Sequence, residues 1–233
     1  MRPSPRAIAS AFTLACWAGL FWFLIFSGRT ALYLSSRTDW VVPMGAIALT
    51  IATVGLLFTS RDKRPDRLAP REALGMGALI LPVVAVLALP PASLTSFAAS
   101  RRSNFSSAGF TSSAADIETG ELSLANVAGA LRSREAMKAL VKRAGAEVDF
   151  TGFVTRDPGQ PADEFTLTRF LISCCVADAL GVEVRVVGVP PGEFAKDDWV
   201  RVTGSMYPLG REVIVDASKI EPVPKPRHPY LNP

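Results

Sequence analysis

Charge is missing from long stretches of this 233-residue chain, and what is missing decides its class. Residues 7–28, 40–60 and 73–100, which are 22, 21 and 28 residues long, contain no Asp, Glu, Lys, Arg or His. Histidine occurs once, at His228, and cysteine three times, at Cys16, Cys174 and Cys175. No Cys-x-x-Cys pair stands at a helix start, which argues against a thiol oxidoreductase. No nucleophile elbow and no glycine-rich phosphate loop occurs, so hydrolase and nucleotide-binding chemistry have no motif to rest on. The chain is therefore expected not to be an enzyme.

What fills the uncharged stretches is apolar. A helix crosses the hydrocarbon core with about 20 apolar residues, at about 1.5 Å per residue. A buried core helix usually runs to only about 10–14 such residues and keeps a polar face. The sequence therefore predicts spans at about 7–28, 40–60 and 73–91. Pro82 lies inside the third, and Pro90 and Pro91 end it; neighbouring helices can satisfy the carbonyl that a proline frees. The first stretch is too long for a signal-peptide core, and Arg29 follows it without a small-x-small cleavage site.

Basic residues are uneven. Residues 1–72 hold nine Lys/Arg against four Asp/Glu, whereas residues 73–233 hold 16 against 17. A nucleic-acid footprint would put the excess in the soluble part, so no nucleic-acid partner is expected. Positive charge marks the cytoplasmic side of short loops. Arg2 and Arg6, with Arg61, Lys63, Arg64, Arg67 and Arg71, put the N-terminus and the 61–72 loop inside. Three crossings then place the rest of the chain outside the cytoplasm, in a multi-pass protein of the cell membrane. If the third stretch fails to cross, the soluble domain is cytoplasmic instead.

Residues 92–121 begin rich in Ser, Ala and Gly and read as a flexible tether. Leu124, Val127, Ala128, Leu131, Ala136, Leu140 and Val141 recur at helical spacing and predict one helix over 122–145, with Gly145 as its stop. From residue 146 onward the period becomes alternating. Strands are expected at 148–156, 165–174, 182–189, 199–206 and 212–215, the last extended by 220–223. Asp157-Pro158-Gly159, Pro190-Pro191-Gly192 and Pro208-Leu209-Gly210 separate them. Five short strands suit an OB-like barrel over 146–233 with a proline-rich tail, a β-sandwich fragment being the alternative. Gly152 and Gly204, inside strand patterns, suit barrel corners or bulges.

Several short motifs carry a resemblance: Gly152-Phe153-Val154, Leu167-Thr168-Arg169-Phe170, Cys174-Cys175-Val176-Ala177-Asp178, Asp198-Trp199-Val200 and Pro229-Tyr230-Leu231. On these the chain resembles the YcgQ-like family of permease subunits, which pair short N-terminal spans with a soluble C-terminal domain. The resemblance implies an accessory transport role beside a separate multi-span permease, with the β domain presented for substrate or partner binding and a thiophilic or divalent metal as the expected substrate. The alternatives are a membrane-anchored metal-delivery protein and a structural anchor without a ligand.

Cys174 and Cys175 are the residues most suited to chemistry. Across a trans peptide their Cα atoms would lie about 3.8 Å apart, below the disulfide range of about 4.4–6.8 Å, so the two rarely pair with each other. A buried structural role, metal binding or thiol exchange, and an intermolecular disulfide all remain open. Thiolates suit zinc or another thiophilic metal, and Asp178 stands close enough in sequence to join. That set is one ligand short of tetrahedral zinc, with His228 the remote candidate for the fourth. Thr168 and Arg169 support the site in this reading, with Arg169 either solvated or paired to Asp178 or Asp198 to hold the cysteine turn. Trp199 is expected in the core. Tyr230 and Leu231 are expected to dock on the barrel or on a partner, and Cys16 to pack within a span.

Overall fold

The computed structural model describes residues 5–59, 69–89, 93–101, 113–210 and 212–232. The chain divides into two compact units, Met1–Ala92 and Ser93–Pro233. The basic residues Arg61, Lys63, Arg64 and Arg67, which bear most on the orientation, lie outside the described residues, as do Arg2 and residues 102–112 of the expected tether.

The first unit contains three helices long and apolar enough to cross a membrane: α1 (Pro5–Phe26), α2 (Val41–Thr59) and α3 (Pro70–Ala88). Their apolar side chains point outward, with Phe26 81% and Leu74 78% exposed, as helices solvated by lipid require. Polar groups tie them together. The Trp17 indole donates to the Leu79 carbonyl at 3.1 Å, joining α1 to α3, and the Trp22 indole donates to Thr50 Oγ1 at 3.2 Å, joining α1 to α2. Small residues permit close approach: a Cβ on Gly45 would fall 2.7 Å from the Phe21 ring. Arg6 pairs with Glu72 at 3.0 Å, which sets the starts of α1 and α3 at the same end of the bundle. That is the arrangement three successive crossings produce. Pro82 sits within α3, as expected.

The second unit is a closed five-stranded barrel in the order β1-β2-β3-β5-β4. Its strands are β1 (Glu147–Thr155), β2 (Glu164–Leu171), β3 (Leu180–Val187), β4 (Trp199–Leu209) and β5 (Glu212–Pro222). Every pairing is antiparallel except β3 with β5, and this is the OB-like arrangement. The β-sandwich alternative is excluded by closure. Phe150, Val154, Phe165, Leu167, Val184, Val202, Met206 and Val215 fill the interior. The two expected pieces of the last strand are one continuous strand, with Ser218 of β5 the extra residue opposite the Thr203–Gly204 step of β4. A side chain on Gly204 would collide with the Asp216 backbone, so glycine is needed where β4 bends against β5. At Gly152 a Cβ would lie 2.7 Å from the Thr168 carbonyl. There β1 changes neighbours: Phe153–Thr155 pairs with β2, whereas the first half of the strand pairs only with β4.

The predicted helix over 122–145 is two helices, α6 (Leu124–Ala130) and α7 (Arg134–Lys142). Ser133 interrupts the run because its side chain accepts the Ala136 amide and starts a new helix, as Ser123 does for α6 with Asn126. The tether expectation also fails for its described parts. Helix α5 (Ala114–Thr119) sends fully buried Ile117 into the barrel core beside Val127 and Leu140. Arg143 holds α5 in place by donating to the carbonyls of Ile117 and Gly120. One well-placed isoleucine and an arginine offset the chain entropy that the Ser/Ala-rich composition suggested would win. Earlier in the chain, residues 93–101 carry a short helix, α4 (Ser96–Ala99), which packs on the barrel.

Candidate functional site

Strand β2 stops at Leu171, three residues before the sequence pattern predicts, because Asp178 draws the chain out of register. Its carboxylate accepts the amides of Ser173 at 3.0 Å and Cys174 at 2.8 Å, while the Asp178 amide donates to the Cys175 carbonyl at 3.0 Å. The 3-10 turn Val176–Asp178 closes this loop. Cys174 is thereby exposed and Cys175 half-buried, with the two sulfurs 3.7 Å apart and not joined in a disulfide.

The electrostatics of this turn are set by the carboxylate. Burial would raise the Asp178 carboxyl, but donation from the Cys174 thiol and from the amides of Cys174, Ser173 and Cys175 outweighs it and holds the group below its usual range. The Cys174 thiol moves the other way, up to about 11, chiefly because it donates to Asp178 and secondarily because of Cys175. At neutral pH this sulfur is a thiol rather than a thiolate.

The supporting residues do something other than predicted. Arg169 makes no ion pair with Asp178 or Asp198. Its Nε donates to the Pro229 carbonyl at 3.2 Å, Nη2 to the His228 carbonyl at 3.1 Å and Nη1 to the Thr151 carbonyl at 3.3 Å. The guanidinium also sits 5.8 Å from the Trp199 ring centroid, and burial pulls its pKa down. The candidate acidic partners are occupied elsewhere: Asp178 holds the cysteine turn, and Asp198 accepts the Ala195 amide at 2.8 Å. Thr168 is fully buried and shares a 2.8 Å hydrogen bond with Thr155. Trp199 is half-buried on the outer wall of the barrel against Phe153, a departure from the core position expected of it.

Arg169 therefore anchors the tail. Leu231 pairs with Leu171 on the edge of β2 that β1 leaves open, donating to the Phe170 carbonyl at 2.7 Å and accepting the Ile172 amide at 3.0 Å. Tyr230 is buried, and its hydroxyl accepts the Leu94 amide at 3.1 Å. Of the two fates open to Tyr230 and Leu231, docking on their own barrel is the one observed. Phe153, Phe170, Ile172, Ala179 and Tyr230 form an outer apolar cluster on which Leu94, Ala98, Ala99 and Val176 pack. The cysteine turn, the tail and residues 94–99 thus share one small core.

Asp197, which in sequence reads as a turn carboxylate beside Asp198 at the entry to β4, also holds residues 94–99. It adopts a left-handed backbone, φ 71°, and its carboxylate accepts both the Ser96 amide at 2.7 Å and the Ser96 hydroxyl at 2.9 Å. The only sequence signal is that Asp tolerates this conformation better than most residues.

His228 reaches this region through its backbone carbonyl, with its imidazole exposed. Among the described residues no three His, Cys, Asp or Glu side chains converge in a way that would hold a metal ion. Zinc therefore does not fit: the turn supplies two sulfurs and a carboxylate already engaged by amides and by a thiol.

These features define a membrane-associated protein carrying an OB-like barrel whose outer wall is closed by its own tail. Residues 131–233, which span α7, the barrel and the tail, match the family model described as the DUF1980 C-terminal domain. No curated protein matches the chain.

Proposed function

We propose that this chain is an accessory subunit of a membrane permease, anchored in the bilayer by α1–α3 and presenting the barrel outside the cytoplasm. The observation that carries this reading is the pairing of a DUF1980 C-terminal domain with spans whose central stretches contain no Asp, Glu, Lys, Arg or His. Transport pathways use intramembrane charged or polar groups, so three helices without charge through their central stretches favour an anchoring role beside a separate multi-span protein. The YcgQ-like resemblance points the same way, as does the basic loop at residues 61–72 for the orientation. No catalytic role is assigned.

The test is affinity purification of the tagged full chain in mild detergent, with identification of what accompanies it. A multi-span membrane protein recovered in fixed proportion supports the reading; a monodisperse chain without such a companion sinks it. Labelling Cys174 from outside intact cells with a membrane-impermeant thiol reagent tests the orientation separately. Labelling only after permeabilisation would place the barrel in the cytoplasm.

A further inference from the structure

The cysteine turn has a geometry that neither a structural nor a redox role requires. We infer that Cys174 and Cys175 form a chelating site for a monosubstituted trivalent metalloid, an organoarsenical or organoantimonial that the two sulfurs bind together. The inference rests on this turn alone and does not depend on the permease reading.

Three observations lead to that ligand class. The sulfurs stand 3.7 Å apart on a turn whose shape is fixed by Asp178, so the pair is organised before any ligand arrives. Two sulfurs bonded at about 2.3 Å to one pyramidal trivalent centre, with an angle of about 95–100°, lie about 3.4–3.5 Å apart, within a few tenths of an ångström of this separation. A disulfide would need them at about 2.05 Å, within the small ring that adjacent cysteines form. A bridging atom enlarges that ring and needs almost no closure. Exposed Cys174 lets the ligand enter from solvent, and half-buried Cys175 supplies the second sulfur.

The third observation concerns stoichiometry. No further His, Cys, Asp or Glu completes a metal site here among the described residues, which leaves zinc under-coordinated. A trivalent metalloid with one organic substituent has only two exchangeable positions, and two thiols saturate it. Binding is a condensation of the dihydroxy metalloid with the two thiols. Each S–H proton leaves with a hydroxyl as water, two metalloid–oxygen bonds break and two metalloid–sulfur bonds form. The metalloid stays trivalent, so no oxidant or reductant is needed. The nearby Asp178 carboxylate is the group positioned to take the Cys174 proton as the sulfur attacks.

The experiment titrates the full chain in detergent with phenylarsine oxide and counts the remaining thiols. One equivalent is expected to consume two of the three, leaving Cys16, and a small competing dithiol is expected to restore both. In Cys174→Ser or Cys175→Ser the bond to one sulfur remains but chelation is lost, so retention is expected to fall about 100-fold or more. Serine at 174 still has a hydroxyl to donate to Asp178, and resistance of the tail to carboxypeptidase reports that the variants are folded. Cys16→Ser is expected to bind like the unaltered chain. The inference is overturned if all three thiols stay titratable, if either single serine variant retains the arsenical as tightly as the unaltered chain, or if zinc chloride protects the pair equally well.

Discussion

The two units hold apolar residues in opposite ways. In the membrane unit large side chains such as Leu81, 68% exposed, face outward, and few residues are buried between the helices. In the barrel unit Phe150, Phe165 and Leu167 are shut away from solvent and the strands turn polar residues outward. The same side-chain chemistry has reversed its direction because the solvent differs. In lipid there is no hydrophobic gain in bringing helices together, so packing and a few polar contacts must do it. In water the apolar burial itself drives closure of the barrel.

The largest expected effect tests that contrast directly. Phe150→Ala should destabilise the barrel by about 3–5 kcal/mol, from lost burial and the cavity left behind. Leu81→Ala removes a large apolar side chain from the lipid-facing side of α3 and should cost under about 1 kcal/mol of bundle stability. Hydrogen exchange of the full chain in detergent, read separately at the amides of β1–β5 for the barrel and of α1–α3 for the bundle, separates the two. Equal losses would mean that the outward face of α3 packs against something other than lipid.

Arg169 comes next. Arg169→Met keeps most of the apolar stem but leaves the Thr151, His228 and Pro229 carbonyls without their charged donor. Hydrogen bonds to charged groups contribute about 1.5–3 kcal/mol, so a loss of about 3 kcal/mol is expected, concentrated at the tail. Carboxypeptidase should then remove residues after Pro229 faster, while the barrel's cooperative unfolding persists. Arg169→Lys should rescue little, because one ammonium cannot reach three carbonyls in a fixed fork. A tail equally protected in both variants would show that Tyr230 and Leu231 alone hold it.

How much of this was legible beforehand follows the same division. The spans could be read because lipid imposes a length rule that local composition obeys. The barrel could be read because alternation over five segments, with Pro/Gly turns between them, leaves few architectures. The end of β2 was misplaced because Phe170-Leu171-Ile172 continues the apolar pattern, and only the Asp178 carboxylate, several residues later, ends the strand. The break before α7 depended on Ser133 choosing a cap over a helix interior. Arg169 reads in sequence only as a solvated residue or a partner of Asp178 or Asp198, since backbone carbonyls some 60 residues away carry no sequence signature. The contact between Asp197 and Ser96 has no signature for the same reason: it spans 101 residues.

The cysteine turn offers an electrostatic test of intermediate size. The Cys174 thiol is raised to about 11, so the stability it gives is fully present below the ordinary thiol value near 8.5 and is lost as pH rises through about 11. Asp178 is lowered, so its contribution is present above about 3.9 and is lost as pH falls through its still lower folded value. Asp178→Asn keeps an acceptor for the amides but removes the charge, and Cys174 should then titrate near the ordinary thiol range. At pH 7.5 a thiolate-specific reagent should modify Cys174 about 20-fold faster in this variant, after allowing for the lower nucleophilicity of a less basic sulfur. Unchanged alkylation would show that Asp178 shapes the turn without controlling its protonation.

The smallest effect lies in the membrane unit. Trp22 donates to Thr50 Oγ1 across α1 and α2, yet that hydroxyl also donates to the Ala46 carbonyl of its own helix at 2.7 Å. In Trp22→Phe the threonine therefore keeps its own-helix bond, and only the indole's donation disappears. Side-chain hydrogen bonds between membrane helices average about 0.6 kcal/mol, because the separated helices find other partners. Trp22→Phe should therefore weaken the bundle by about that amount, read as a small fall in the detergent concentration needed to unfold its helices. A loss of several kcal/mol would mean that polar contacts, rather than the fit of Phe21 against Gly45, hold α1 to α2. The membrane unit would then depend on polar contacts as heavily as the barrel depends on its phenylalanines.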